Sequence, residues 1–130
     1  MAMATVHPIA PHHHAIEAPE PLRELGGWLI WRYETYKDDV KPRKVPYYAD
    51  GGKRYGQQGS TEDRSKLTAF AAARDAAIRR GFDGVGFALL PDWGITALDF
   101  DKCVDAAGNI PPEVMAIVAQ TYCEYSPSGE

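Results

Sequence analysis

Apolar and polar positions along this chain fall into short runs whose period changes from one run to the next. Trp28-Leu29-Ile30-Trp31-Arg32-Tyr33 is aromatic and β-branched, which predicts a first strand buried on much of both faces, its tryptophans mainly core. Lys41-Pro42-Arg43-Lys44-Val45-Pro46-Tyr47-Tyr48 carries prolines that exclude a central strand or a helix interior, so it reads as an edge strand or extended loop. Ser60 precedes Asp63 with the spacing of a capping box and marks a helix start. Leu67, Phe70, Ala71, Arg74, Ala77 and Ile78 then recur at helical spacing, and Gly81 is placed to end that helix in a left-handed cap. Gly84 to Leu90 reads as a strand and Pro91-Asp92-Trp93-Gly94 as a turn, so Leu98-Asp99-Phe100-Asp101 is expected to return as the second strand of a hairpin. Pro111 or Pro112 opens a second helix with Val114, Ile117, Val118 and Thr121 along one side, and Tyr122 to Ser126 looks like a closing strand.

Residues 1–21 show neither period and are rich in Pro, Ala and His, which predicts a mobile arm; residues 22–130 are expected to form one domain. His12, His13 and His14 read as part of a solvated tail. The order of elements predicts an α+β fold with two helices packed on a mostly antiparallel sheet.

Composition changes this picture little. With 25% charged and 45% hydrophobic residues the chain is an ordinary globular one, and a net charge of -4 does not announce a general polyanion binder. The apolar runs are far shorter than the roughly 18 residues of a membrane helix, and no signal-peptide region opens the chain, so the expected compartment is the cytoplasm, with no membrane partner. Cys103 and Cys123 lack zinc-ligand spacing and nearby histidines, and reduced thiols are expected.

Chemistry concentrates in three clusters. Asp99 and Asp101, two residues apart on a strand, would aim at one face, where two like charges call for a divalent cation such as Mg²⁺ or Mn²⁺ that also takes substrate phosphates. Lys41, Arg43 and Lys44, on a Pro-stiffened segment, could neutralise a triphosphate. Ser126-Pro127-Ser128-Gly129 could present hydroxyls and backbone N–H groups to phosphate oxygens. A calcium loop starting at Asp99 fails, because Cys103 and Val104 stand where an oxygen ligand and a turn glycine are required. A glycosyltransferase would also use such an acidic pair, but those enzymes normally need a larger α/β domain.

In order and wording these segments resemble the primase-polymerase domains of the archaeo-eukaryotic primase superfamily, the phage and plasmid type, from about Trp28 to Glu130. The resemblance rests on the aromatic first strand, Lys41 to Tyr47, Gly84-Val85-Gly86-Phe87, Leu98 to Cys103 and Tyr125 to Gly129. It implies the N-terminal segment of an RRM-like catalytic fold. Asp99 and Asp101 would be the first metal-binding, catalytic acids, with Mg²⁺ or Mn²⁺ as cofactor. Lys44, with Lys41 or Arg43, would be the basic group near the triphosphate. Ser126 and Ser128 would open the family's serine-glycine-histidine motif, with a nucleoside triphosphate and a DNA template as partners. The chain reaches Glu130 before that motif's histidine and the family's third acid, so the expectation is nucleotidyltransferase ancestry with a site incomplete for catalysis. The alternative is a non-catalytic phage or mobile-element binding module derived from a primase, for example an inhibitor of a host protein or ribonucleoprotein (CRISPR-like) complex.

Overall fold

Trp28 begins the longest strand among the described residues, and the rest of its sheet is arranged around it. A computed structural model describes residues 6–7 and 17–126. In chain order the elements are β1 (Val6–His7), α1 (Glu20–Arg23), β2 (Trp28–Glu34), β3 (Arg43–Tyr47), α2 (Thr61–Lys66), α3 (Phe70–Arg80), β4 (Gly84–Phe87), a 3₁₀ turn (Pro91–Trp93), α4 (Pro112–Val118) and β5 (Cys123–Glu124). They fall into two compact units, Ile16–Ala97, and Leu98–Glu130 with Met1–Ala15.

The first unit is an α+β layer built on an antiparallel sheet of order β3-β2-β4. Ile30 lies opposite Tyr47 on one side and Val85 on the other; Trp31 lies opposite Pro46 and Gly84. Pro46 is tolerated because β3 is an edge strand, as its prolines require. Alternation along β2 sends Trp28 and Ile30 to one face, where they meet Val45, Tyr47 and the Phe70, Ala73, Ala76 and Ala77 stripe of α3. The alanines let α3 sit close to the sheet, and Trp28 fills the end of that layer with edge-to-face contacts to Phe70 (4.8 Å) and Phe87 (5.1 Å). Leu29, on the other face, joins Tyr48, Ala88 and Leu90 in a smaller cluster.

The long helix expected from Ser60 to Gly81 is two helices. Ser60 caps α2, its hydroxyl accepting from the Asp63 N–H at 3.2 Å, but Leu67 turns extended and Thr68 pairs with Trp28 in an isolated bridge. The helical phase restarts at Ala69, so Ala71 and Ile78 face solvent instead of the sheet while Phe70 and Ala77 pack as expected. Gly81, at φ 66°, ends α3 in the left-handed conformation.

The expected hairpin is also absent. β4 ends at Phe87, its ladder is with β2, and residues 95–100 form no strand; Leu98, meant for a core, is 64% exposed. Without a ladder partner the apolar alternation at Leu98 and Phe100 has no sheet face to enter.

In the second unit α4 begins at Pro112, as a proline in the first turn favours, and buries Val118. Ile117 is 39% exposed and Thr121 lies beyond the helix end. The expected closing strand is only Cys123–Glu124, pairing in parallel with Val6–His7, which lie in the segment read as an extended or mobile arm. His12, His13 and His14 lie outside the described residues. Among the described residues no helix is long and apolar enough to cross a membrane.

Candidate functional site

Strand alternation decides what the basic segment can do. On β3, Arg43, Val45 and Tyr47 point to the α3 side, and Lys44 and Pro46 point to the opposite side. The two adjacent cations therefore serve different surfaces. Arg43 is ion-paired with Asp39 and lies 5.4 Å from the Tyr36 ring; its Nε donates to Asp39 Oδ1 at 2.7 Å. The Tyr36 backbone N–H (2.9 Å) and then Arg43 hold the Asp39 carboxyl below its usual value. Lys44 Nζ sits 5.4 Å from the centroid of Trp31. Lys41 is exposed in the loop that leads into β3.

Beside Arg43, the end of β2 carries a tight polar network. Tyr36 Oη donates to Glu34 Oε2 (2.6 Å), the Tyr47 hydroxyl donates to Glu34 Oε1, and Arg32 reaches both Glu34 (3.1 Å) and the Tyr47 hydroxyl (3.0 Å). Lys53 closes the network at 2.7 Å from Tyr36 Oη and 3.6 Å from Glu34. The Tyr36 and Tyr47 hydroxyls, followed by Arg32 and Lys53, lower the Glu34 carboxyl to about 2. Arg32, Lys53 and Arg43 are thus each committed to a carboxylate.

A second lock holds the loop ahead of α2. Arg54 meets the buried Asp63 through two bonds (2.8 and 2.7 Å), and the same carboxylate accepts from Tyr48 Oη (2.8 Å) and the Gly59 N–H (2.8 Å). The sequence marked Asp63 only as a capping residue. Its capping-box side chain reaches Gly59 instead of the Ser60 N–H, and the partners nine and fifteen residues upstream carry no local signature.

Asp99 and Asp101 belong to the other unit, both exposed, on an irregular segment that ends in a turn with Lys102 at φ 53°. As folded, two hard oxygen donors suit Mg²⁺ or Mn²⁺ by their chemistry, but the strand expected to aim both at one face is missing. No group of three His, Cys, Asp or Glu side chains suited to a metal occurs among the described residues. Ser126 is half-buried just after β5, and Ser128 lies outside the described residues. An open concavity of about 280 Å³ in this unit is lined by Cys103, Asp105, Asn109, Ile110, Pro111 and Pro112, and by neither acid of the pair. Burial raises the Cys123 thiol, with Glu124 and Cys103 adding to the shift, and both cysteines are unpaired thiols.

What the sequence did not anticipate is the surface of β2 itself. Trp31 is half-buried and Tyr33 41% exposed, although the run was read as core. The signal was present in the order Trp31-Arg32-Tyr33-Glu34, where charged residues alternate with aromatic ones after an uninterrupted apolar start. No protein-family model matches the chain, and no curated protein matches it either.

Proposed function

We propose that this chain is the N-terminal part of a metal-dependent nucleotidyl transfer domain of the primase-polymerase kind, working in the cytoplasm on a nucleoside triphosphate and a DNA template. The observation that supports this most is the ordered set of segments, aromatic strand, Lys-Pro-Arg-Lys-Val-Pro-Tyr, Gly-Val-Gly-Phe and Leu-Asp-Phe-Asp-Lys-Cys, combined with the direction of Lys44. Lys44 stands on the sheet face away from α3, 5.4 Å from the centroid of Trp31, and is the residue this reading assigns to the triphosphate. In this reading the carboxylates of Asp99 and Asp101 hold Mg²⁺ or Mn²⁺, Lys44 with Lys41 offsets triphosphate charge, and Ser126 and Ser128 offer hydroxyls to phosphate oxygens. A bound divalent ion would supply charge stabilisation to the attacking and leaving oxygens of the displacement. The RRM-like architecture belongs to this proposal as well.

The test is calorimetric titration of the chain with a deoxynucleoside triphosphate and Mn²⁺. Binding that is lost in Asp99→Ala and in Asp101→Ala, both retaining their circular dichroism spectra, is the expected result. Binding unchanged in either variant overturns the assignment, and no binding by the unaltered chain favours a primase-derived binding module instead.

A further inference from the structure

Residues 98–130 hold six acids against one lysine, so the net charge of -4 is concentrated in this stretch. The same stretch is thinly packed. Among its described residues only Val118 is buried, although α4 carries Val114, Met115, Ile117 and Val118 within seven positions; Met115 and Ile117 are each 39% exposed. A helix apolar on most of its circumference belongs under a partner.

The concavity of about 280 Å³ at the start of α4 combines both properties. Ile110, Pro111 and Pro112 give it apolar walls, and Asp105 gives it a carboxylate. The backbone N–H groups of Ala107 (2.9 Å) and Asn109 (2.8 Å) both donate to Asp105 Oδ1. The Asp105 N–H bonds back to the Asn109 carbonyl at 2.9 Å, and Gly108, at φ 84°, completes the turn. The carboxylate is therefore held in one orientation while exposed. The Asn109 N–H, followed by that of Ala107, keeps its carboxyl below the usual value, so it is ionised at neutral pH. We propose that this concavity receives an arginine side chain from a basic, amphipathic segment of a partner protein, whose apolar residues cover the positions of α4 left exposed.

Size, wall chemistry and charge each bear on that choice. At about 280 Å³ the concavity falls below the roughly 300–1,000 Å³ of small-molecule pockets and suits a single side chain. Arginine lays its methylene stem along apolar walls while its planar fork meets a carboxylate; the ammonium of lysine is more strongly hydrated and gains less there. A second copy of so acidic a stretch would bring like charges together, whereas a rim of arginines complements it.

The surface uses neither a nucleotide nor a divalent ion, so its test, run in EDTA, is separate from that of nucleotidyl transfer. The experiment is fluorescence anisotropy of the full chain with three labelled peptides: an amphipathic helix of leucine and arginine, the same helix with glutamate for arginine, and a scrambled sequence of the first. The first should bind most tightly. Asp105→Asn, whose amide oxygen still accepts from Ala107 and Asn109, should weaken it about tenfold, as loss of one charged hydrogen bond does. Glu124→Gln, an acid that does not line the concavity, should leave it unchanged. Saturating peptide should also slow iodoacetamide modification of Cys103, which does line it, as read by peptide mass. No binding, equal binding of the scrambled or glutamate peptide, equal loss in the two variants, or an unchanged rate at Cys103 overturns the proposal. A stable dimer of the chain alone in sedimentation equilibrium also overturns it, by giving the surface to a second copy.

Discussion

Replacing Asp63 by alanine tests how the loop before α2 is held. Asp63 is 2% exposed and its partner Arg54 only 8% exposed by side chain, so the guanidinium would be left buried without a counter-charge. The substitution also removes acceptors for Arg54 Nε, Arg54 Nη2, Tyr48 Oη and the Gly59 N–H. Breaking a buried pair from one side costs about 3–5 kcal/mol, a large share of the roughly 5–15 kcal/mol that holds a domain folded. With a urea dependence of about 1 kcal/mol per molar for a unit this small, the unfolding midpoint should drop by about 3 M or more. The double variant Arg54→Met/Asp63→Leu removes both charges and should be more stable than Asp63→Ala alone, because no lone ion remains buried. Urea titration followed by tryptophan fluorescence and circular dichroism reads both. A midpoint shift below about 0.5 M for Asp63→Ala, against the ~3 M expected, or a double variant less stable than the single one, would refute the reasoning.

Further consequences concern pH, close packing and a helix end. The Arg54 guanidinium, with help from the Gly59 N–H and Tyr48 hydroxyl, holds the Asp63 carboxyl well below the usual carboxylate range. The folded value lies under the unfolded one of about 3.9, so this stabilisation is complete above that pH and is lost as pH falls toward the folded value. Acid unfolding below about pH 4 should therefore be steeper in the unaltered chain than in Arg54→Met/Asp63→Leu; equal slopes would contradict it. Gly84→Ala would drive a methyl to 2.8 Å from Trp31 Nε1 and should cost about 1–3 kcal/mol in urea titration, whereas Gly86→Ala meets Trp31 only at 3.8 Å and should be near neutral. Gly81→Ala, at φ 66° with no atom within 4 Å of the new methyl, should lower stability by the backbone strain alone, about 1–2 kcal/mol, visible as a reduced melting temperature.

Local signals in this sequence were legible where the structure is decided locally. The prolines of β3 announced an edge strand, Ser60 a helix cap and Gly81 a helix end, because each acts through its own backbone. What failed depended on distant partners. The helix phase was lost because Thr68 bonds to Trp28, forty residues earlier, and breaks the run at Leu67. The Leu98–Asp101 strand was expected from its alternation, yet a strand exists only where another edge accepts its hydrogen bonds. Of the candidate site, the spacing of Lys41, Arg43 and Lys44 was visible, but that Arg43 and Lys44 face opposite ways follows from the ladder with β2. Trp31 was read as core because the uninterrupted apolar start of the run was weighed over the alternation of aromatic and charged residues from Trp31 to Glu34.

The central claim is that Asp99 and Asp101 hold the divalent ion of a nucleotidyl transfer site. It is tested most directly by mapping Mn²⁺-induced broadening of backbone amide signals in an ¹⁵N spectrum of the chain with a deoxynucleoside triphosphate present. The account predicts broadening centred on Asp99 and Asp101 that disappears in Asp99→Ala. Broadening centred on other acids, or left intact in that variant, would contradict it.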